Sequence, residues 1–335
     1  MPGFAPGSAA IDGPGQPGRL NARFAAGWAA ALPAGLDRDA RAGLAVSGGP
    51  DSLALLLLAH AAFPGRFEVA TVDHGLRPES AAEAALVSEV CAAQGIAHAT
   101  LRVAVDPAGN LQANARAARY TALAAWLRGR GLAVLATAHH ADDQAETLLM
   151  RLARGSGVRG LAGMRPVSAV PGAADLPLVR PLLGWRRAEL ARVVQDAGIA
   201  PAHDPSNRDE RFERVRVRAG LAAAGWLDPA ALAASAGHLA DADAALAWAV
   251  EREWEAGVTA LADGFAYVPA APRAVRLRVL ERIIAALGTA DPRGSEVSRW
   301  LDRLAAGETA TLGGVRGAGG EDAWRFTAAP PHRGS

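Results

Sequence analysis

Two adjacent glycines, Gly48 and Gly49, stand between a short apolar run, Gly43 to Val46, and a longer one, Ser52 to Phe63. That order dictates a strand, a tight turn and a helix, because glycine lets the backbone turn sharply just past a strand end. The alternation then repeats. Phe67 to Asp73, Ala99 to Val105 and Leu132 to Thr137 read as strands, and Ser80 to Gln94, Asn110 to Arg128 and Ala141 to Arg154 read as helices. Such a pattern specifies an α/β fold, a doubly wound parallel sheet wrapped by helices. Ligands of these sheets sit beyond the carboxyl ends of the strands. Three of the strands end in polar clusters, Ser47 to Ser52, Asp73-His74 and His139 to Asp143, so three clusters on one rim point to one site.

After Gly155 the chain is punctuated by Gly and Pro, with Leu178 to Leu183 a further strand and Trp185 to Ala197 a helix. From Ala230 to about Gly288 an Ala-, Leu- and Arg-rich stretch keeps helical spacing, and Glu308 to Thr327 alternates like a small hairpin. The expected domains are a flexible N-terminal tail with a lead-in helix at 1–40, an α/β domain at 41–220, and a smaller, mainly helical domain at 221–335.

Composition narrows the partners. Among 335 residues, 35 basic side chains face 34 acidic ones, for a net charge of +1. A generally basic coat for nucleic acid is excluded, and any such contact is regional. The chain has no lysine, so no enzyme amine can act as a Schiff-base nucleophile. Cys91 is the lone cysteine, which excludes intramolecular disulfides and fits a reducing, cytoplasmic setting. The first eighteen residues lack the charged and apolar regions of a signal peptide. The most apolar run, Leu53 to Phe63, falls short of the roughly 20 residues that cross a bilayer. No membrane partner is expected.

The loop Ser47-Gly48-Gly49-Pro50-Asp51-Ser52 points successive N–H groups toward a common centre, and the helix that follows adds the positive end of its dipole. Phosphate is the natural guest, with Ser47 and Ser52 as hydroxyl donors and Asp51 assigned to Mg²⁺, since a carboxylate faces phosphate only through a cation. A glycine turn with a Ser/Asp helix cap is the alternative. A P-loop of the Walker type is excluded, because its lysine is missing.

Asp143 and Glu146 lie three apart in a first helical turn and can share one face, where a metal ion would meet them; equally, acidic residues there complement the helix dipole. His139 and His140 are adjacent, so their side chains diverge, and zinc is rejected for want of a nearby Cys. Arg116 and Arg119 are one turn apart on a helix, and Arg214, Arg216 and Arg218 alternate, as in an edge strand or a charged helix face.

Five ordered segments between Ala42 and Arg218 carry a resemblance. Ser47 to Ser52 looks like the SGGxDS signature of N-type ATP pyrophosphatases, enzymes that split ATP between its α and β phosphates. Val72-Asp73-His74-Gly75-Leu76-Arg77, Ala115 to Tyr120, Ala138 to Thr147 and Asp204-Pro205-Ser206-Asn207 with Arg214 to Arg218 resemble the VDHxLR, ARxxRY, HHxDDQAET and DPSN/RNxxR segments of the tRNA(Ile)-lysidine synthetases. The resemblance implies ligation of free L-lysine to the wobble cytidine of tRNA(Ile) with a CAU anticodon, using ATP and Mg²⁺. It implies roles for Asp51, Asp143 and Glu146 in holding metal (Asp51, Asp143) and positioning the amine. His74 and His139 would contact substrate or adenylate, Arg214 would stabilise charge, Arg116 and Arg119 would meet substrate carboxylate or phosphate, and Arg218 would meet phosphates or the tRNA. One departure stands out, Val215 in the place of the family's Asn. Cytidine-thiolating relatives share the loop but need paired cysteines; another tRNA-base or nucleotide pyrophosphatase, and a non-catalytic RNA-binding module, remain as alternatives. The helical domain would grip tRNA through Arg273, Arg276 and Arg278.

Overall fold

The computed structural model describes residues 17–37, 39–75, 79–202, 209 and 211–330. The chain divides into two compact units, Met1–Leu239 and Ala240–Ser335.

The first unit runs α1 (Pro17–Ala31), β1 (Ala42–Ala45), α2 (Pro50–Ala62), β2 (Phe67–Asp73), α3 (Glu79–Ala93), β3 (His98–Arg102), α4 (Leu111–Arg130), β4 (Val134–Ala136), α5 (Ala141–Leu152), α6 (Val158–Leu161), β5 (Val167–Val170), β6 (Ala173–Val179), α7 (Arg187–Asp196) and α8 (Glu213–Ala223). Its sheet has the order β3-β2-β1-β4-β6-β5. All pairs are parallel except β5–β6, an antiparallel edge with an irregularity at Ala169/Val170. Side chains alternate between two cores, as a sheet covered on both faces requires. Leu44, Val134, Ala136 and Val179 pack with Phe24, Trp28, the leucines of α2, Trp185 and Leu190. Ala45, Leu135 and Leu178 pack with Tyr120, Leu123, Trp126 and Leu127 of α4. Residues Ser52 to Ala59 are all buried, so α2 is a central helix rather than an amphipathic one. Burial of each of its leucines contributes about 1.5–3 kcal/mol. Gly43 is dictated by packing, since a Cβ there would lie 2.5 Å from the Trp126 ring.

The chain builds β1, β2 and β3 outward in one direction and then returns to place β4 on the other side of β1. The strand order therefore reverses between β1 and β4, and the loops leaving these two strands open a crevice.

Helix α9 (Pro229–Gly257) contains the division between units. The second unit continues with β7 (Val258–Leu261), β8 (Gly264–Tyr267), α10 (Arg273–Leu287), α11 (Gly294–Ala305), β9 (Thr309–Leu312), β10 (Val315–Ala318) and β11 (Trp324–Ala328). Its strands form an antiparallel sheet ordered β7-β8-β11-β10-β9. Tyr267, Val279, Ile283, Trp300, Leu304 and Phe326 fill its core. The stretch read as helical from Ala230 to Gly288 is interrupted by the β7–β8 hairpin, whose turn is Ala262-Asp263, with Gly264 opening β8. Asp-Gly between two short β-type runs is a hairpin signal that the surrounding alanine masked. The hairpin expected at Glu308 to Thr327 is part of this larger sheet. Arg278 is tied to Asp243, both largely buried, and Arg273 pairs with Asp302. Two of the three arginines expected to meet nucleic acid are thus engaged within the unit.

Candidate active site

The loop after β1 is ordered by its own serines. The Ser47 amide donates to Ser52 Oγ at 3.1 Å, and Ser52 Oγ donates to the Gly49 carbonyl at 3.0 Å. Gly49 is the N-cap of α2, Pro50 opens the helix, and no side chain caps it. The first-turn N–H groups therefore face the crevice without an intramolecular side-chain acceptor, the condition for binding an external anion. Gly48 has φ +85°, and a Cβ on it would meet the Glu83 carbonyl oxygen at 3.2 Å. Gly48→Ala should cost about 1–3 kcal/mol of local strain and weaken ATP binding, measurable by thermal melting with and without nucleotide.

The loop after β4 supplies the opposite wall. His140 and Asp143 form a reciprocal cap on α5. The His140 amide donates to Asp143 Oδ2 at 3.1 Å and the Asp143 amide to His140 Nδ1 at 3.4 Å. With Nδ1 accepting, the proton belongs on Nε2, which lies 3.4 Å from Asp51 Oδ2 and 3.5 Å from Asp143 Oδ2. The buried imidazole thus stands between the two carboxylates expected to hold metal. Burial pushes its pKa down, but the neighbouring Asp51 and Asp143 carboxylates outweigh this and raise it above the ordinary histidine value. Asp51 Oδ1 is buried without a hydrogen-bond partner.

Glu146, one turn further along α5, sits in a different setting. It is 1 % exposed and surrounded by guanidinium groups, with Arg218 Nε at 2.7 Å, Arg187 Nη2 at 3.2 Å and Arg214 Nε at 3.5 Å. Arg214 also donates to Thr147 Oγ1 at 3.2 Å. Burial disfavours the charged Arg218, yet its hydrogen bond to Glu146 raises its pKa overall. The alternating arginines therefore lie on a helix, α8, held to α5 by this hub. Arg187, which the sequence reading did not single out, also approaches Asp143 Oδ1 at 3.9 Å. Next to it, the Arg187 amide and Arg186 hold Asp142, and burial is outweighed so that the Asp142 pKa is lowered.

His139 points to a third group. Its Nδ1 is 2.9 Å from Thr137 Oγ1. Burial, then the charges of Arg180, Arg119, Arg214 and Arg116, push its pKa down to about 3, so the ring is neutral. The Arg116 and Arg119 guanidinium carbons lie 5.0 and 5.6 Å from the Tyr120 ring centroid. His74 follows β2, on the flank of β1 away from β4. Its neighbour Asp73 accepts from Ser80 Oγ at 2.6 Å and the Gly75 amide at 2.9 Å, which hold its carboxyl below the usual range. Leu76, Arg77 and Asp204 to Asn207 lie outside the described residues. His140, Arg180 and Arg187 are the site residues missed in sequence. His140 carried a signal in its position between a strand end and a helix start; the two arginines carried none.

Residues 23–224 match the family model of the PP-loop domain. A tRNA(Ile)-lysidine synthase of Novosphingobium aromaticivorans is 56 % identical over 93 % of this chain and 94 % of its own. One of Zymomonas mobilis is 40 % identical over 87 % and 89 %. Among solved structures, the U34-tRNA thiolase NcsA of Methanococcus maripaludis covers 66 % of this chain and 78 % of its own at 15 % identity, with a TM-score of 0.54, a likeness of fold. With an uncapped helix following the glycine loop and aspartates from the first turns of two helices facing one histidine, the chain belongs to the PP-loop family, among the tRNA(Ile)-lysidine synthases.

Proposed function

We propose that this enzyme ligates free L-lysine to C2 of the wobble cytidine of tRNA(Ile) with a CAU anticodon, through an adenylated cytidine, in the cytoplasm. The observation that carries the reading is the convergence of Asp51 and Asp143 beside the open N-terminus of α2, at the point where strand order reverses. The cytosine C2 oxygen attacks the α-phosphorus of ATP and diphosphate leaves. The lysine ε-amine then attacks C2, loses a proton, and AMP departs with the former C2 oxygen. Both steps demand positioning and charge neutralisation more than a covalent enzyme nucleophile, in keeping with a chain that has no lysine.

Asp51 and Asp143 fit Mg²⁺, because both are oxygen donors and Asp51 Oδ1 is buried without a partner. When bound, the ion supplies charge neutralisation to the phosphates. Among the described residues no three His, Cys, Asp or Glu side chains form a metal group, so two carboxylates would share the ion with phosphate oxygens and water. His74 and His139 would contact substrate or adenylate, Arg116 and Arg119 its anionic groups, and Arg214 and Arg218 the charge that develops. The cytidine must leave its stack to reach the site. No described helix is long and apolar enough to cross a membrane.

Incubating the protein with Mg²⁺, ATP, labelled lysine and a CAU-bearing tRNA(Ile) transcript is expected to put label into RNA with one diphosphate released per lysine. Diphosphate release without label in RNA would assign the loop to a different acceptor and overturn the proposal.

A further inference from the structure

Trp226 is 83 % exposed, whereas Trp28, Trp126, Trp185, Trp300 and Trp324 are buried. An indole left in water does no packing, yet this one stands on a well-tied segment. The turn between α8 and α9 that carries it is closed by backbone hydrogen bonds. The Ala224 amide donates to the Gly220 carbonyl at 2.9 Å, and the Leu227 amide to the Ala224 carbonyl at 2.8 Å. Asp228 then accepts from the Ala230 amide at 2.9 Å and pairs with Arg186 at 3.2 Å. Ion pairs also fix where the turn lies. Arg154, at the end of α5, meets Glu213 at the start of α8; Glu146 meets Arg218; and Asp142, in the first turn of α5, is joined through Arg186 to Asp228. Helix α8 therefore runs antiparallel to α5, and its C-terminal turn arrives beside Asp142 and Asp143, on the rim where β4 ends. Two residues separate Trp226 from Asp228, a span of at most about 7 Å.

We propose that Trp226 is a stacking platform for a base of the tRNA anticodon loop, next to the cytidine that enters the site. This rests on the proposed reaction at the wobble cytidine and adds to it a residue that no motif had marked. Drawing one base out of a loop strips its neighbours of their stacking partner, and an aromatic ring at the mouth of the site replaces that partner. Such a contact asks only for a π-face, so it needs no hydrogen-bonding group beside the ring. Here Ala222, Ala223 and Gly225 flank the indole, all of them exposed and small. The same surroundings disfavour a protein partner. One tryptophan offers about 150–250 Å² of contact, against about 800 Å² per partner in an ordinary interface, so a second copy of this chain gains too little from it. Trp248, 65 % exposed on α9 in the second unit, already has the Arg252 guanidinium against its ring at 5.5 Å.

Filter binding of a CAU-bearing tRNA(Ile) transcript, without turnover, reads this contact directly. Trp226→Ala should weaken binding roughly 5- to 150-fold, and Trp226→Phe should restore most of it, while the KM values for ATP and lysine stay within about twofold. Transcripts lacking one anticodon-loop base at a time complete a double-mutant cycle. At one position beside the wobble cytidine, loss of the base should weaken binding to the parent and have no further effect on Trp226→Ala. Unchanged tRNA affinity in Trp226→Ala, a loss that Trp226→Phe does not restore, or additive effects at every loop position would each overturn the platform. A lower sedimentation coefficient for Trp226→Ala in the absence of RNA would give the ring to a second copy of the chain and overturn it as well. The binding cycle also stands apart from the ligation. Coupling between Trp226 and one base with no lysine entering RNA keeps the platform and removes the proposed reaction, whereas incorporation of lysine with additive effects removes the platform and leaves the reaction standing.

Discussion

Asp51→Asn is expected to lower lysine incorporation roughly 10²- to 10³-fold while leaving the fold intact. Asp51 lies on the first turn of α2 with its side chain 32 % exposed, so exchanging one oxygen for nitrogen disturbs no packing. What changes is charge. The carboxylate offsets phosphate repulsion only through a cation, and Asp51 Oδ1 has no protein donor to satisfy it. The amide keeps the shape and loses the cation affinity. It also removes one of the two anions beside His140. Diphosphate release should therefore fall together with lysine incorporation, and the Mg²⁺ concentration for half-maximal rate should move upward. Activity within a few-fold of the parent at low Mg²⁺ would break the assignment of Asp51 to metal.

Glu146→Ala should have the largest effect on stability. The carboxylate is buried, and its removal leaves Arg187, Arg214 and Arg218 facing one another across the space it occupied. Breaking a buried pair costs about 3–5 kcal/mol when the surviving charge is trapped. Here the arginines are 30 %, 43 % and 33 % exposed and can turn to water, so about 2–3 kcal/mol is the sensible expectation. Denaturant unfolding with Glu146→Ala and Glu146→Gln checks it. Helix α8 should detach from α5, so incorporation falls even at saturating lysine. This differs from the sequence expectation that Glu146 positions the amine. An amine ligand would show as a raised lysine KM with the unfolding midpoint unchanged, and that pattern would restore the earlier reading.

The first half of the chain was readable because its strands and helices differ in length and its loops carry their own chemistry. Phe67–Asp73 is predicted to the residue, and the other strands and helices read between Gly43 and Arg154 to within a few, whereas α6, β5 and α8 were not read and β6 begins well before the strand expected at Leu178 to Leu183. The loop and the Asp143 cap could be found for the same reason: Ser47 to Ser52 and His140 to Asp143 interact within short stretches of sequence. Arg180 and Arg187 could not, since their partners lie on strands and helices distant in the chain, and an arginine beside Pro181 or Arg186 looks like any surface cation. The arginine surroundings of Glu146 were hidden in the same way. Its position in the first turns of α5 suggested a ligand, but its surroundings depend on how α7 and α8 return to the sheet. In the second unit the β7–β8 hairpin was hidden by composition, because alanine favours helix and is depleted in strands, so the neighbouring helices dominate the pattern.

Cys91 lies on α3 with no exposed surface, and burial pushes its thiol up to about 12. At neutral pH it is protonated and out of reach of alkylating reagents. The protein therefore comes with its only native thiol already silent. A cysteine introduced on an exposed face would be the sole position to take a maleimide dye or a nitroxide, with no need to remove Cys91 and no cavity left by doing so. Paired labels, one in each unit, would then report their separation with and without tRNA on a protein whose interior has not been altered.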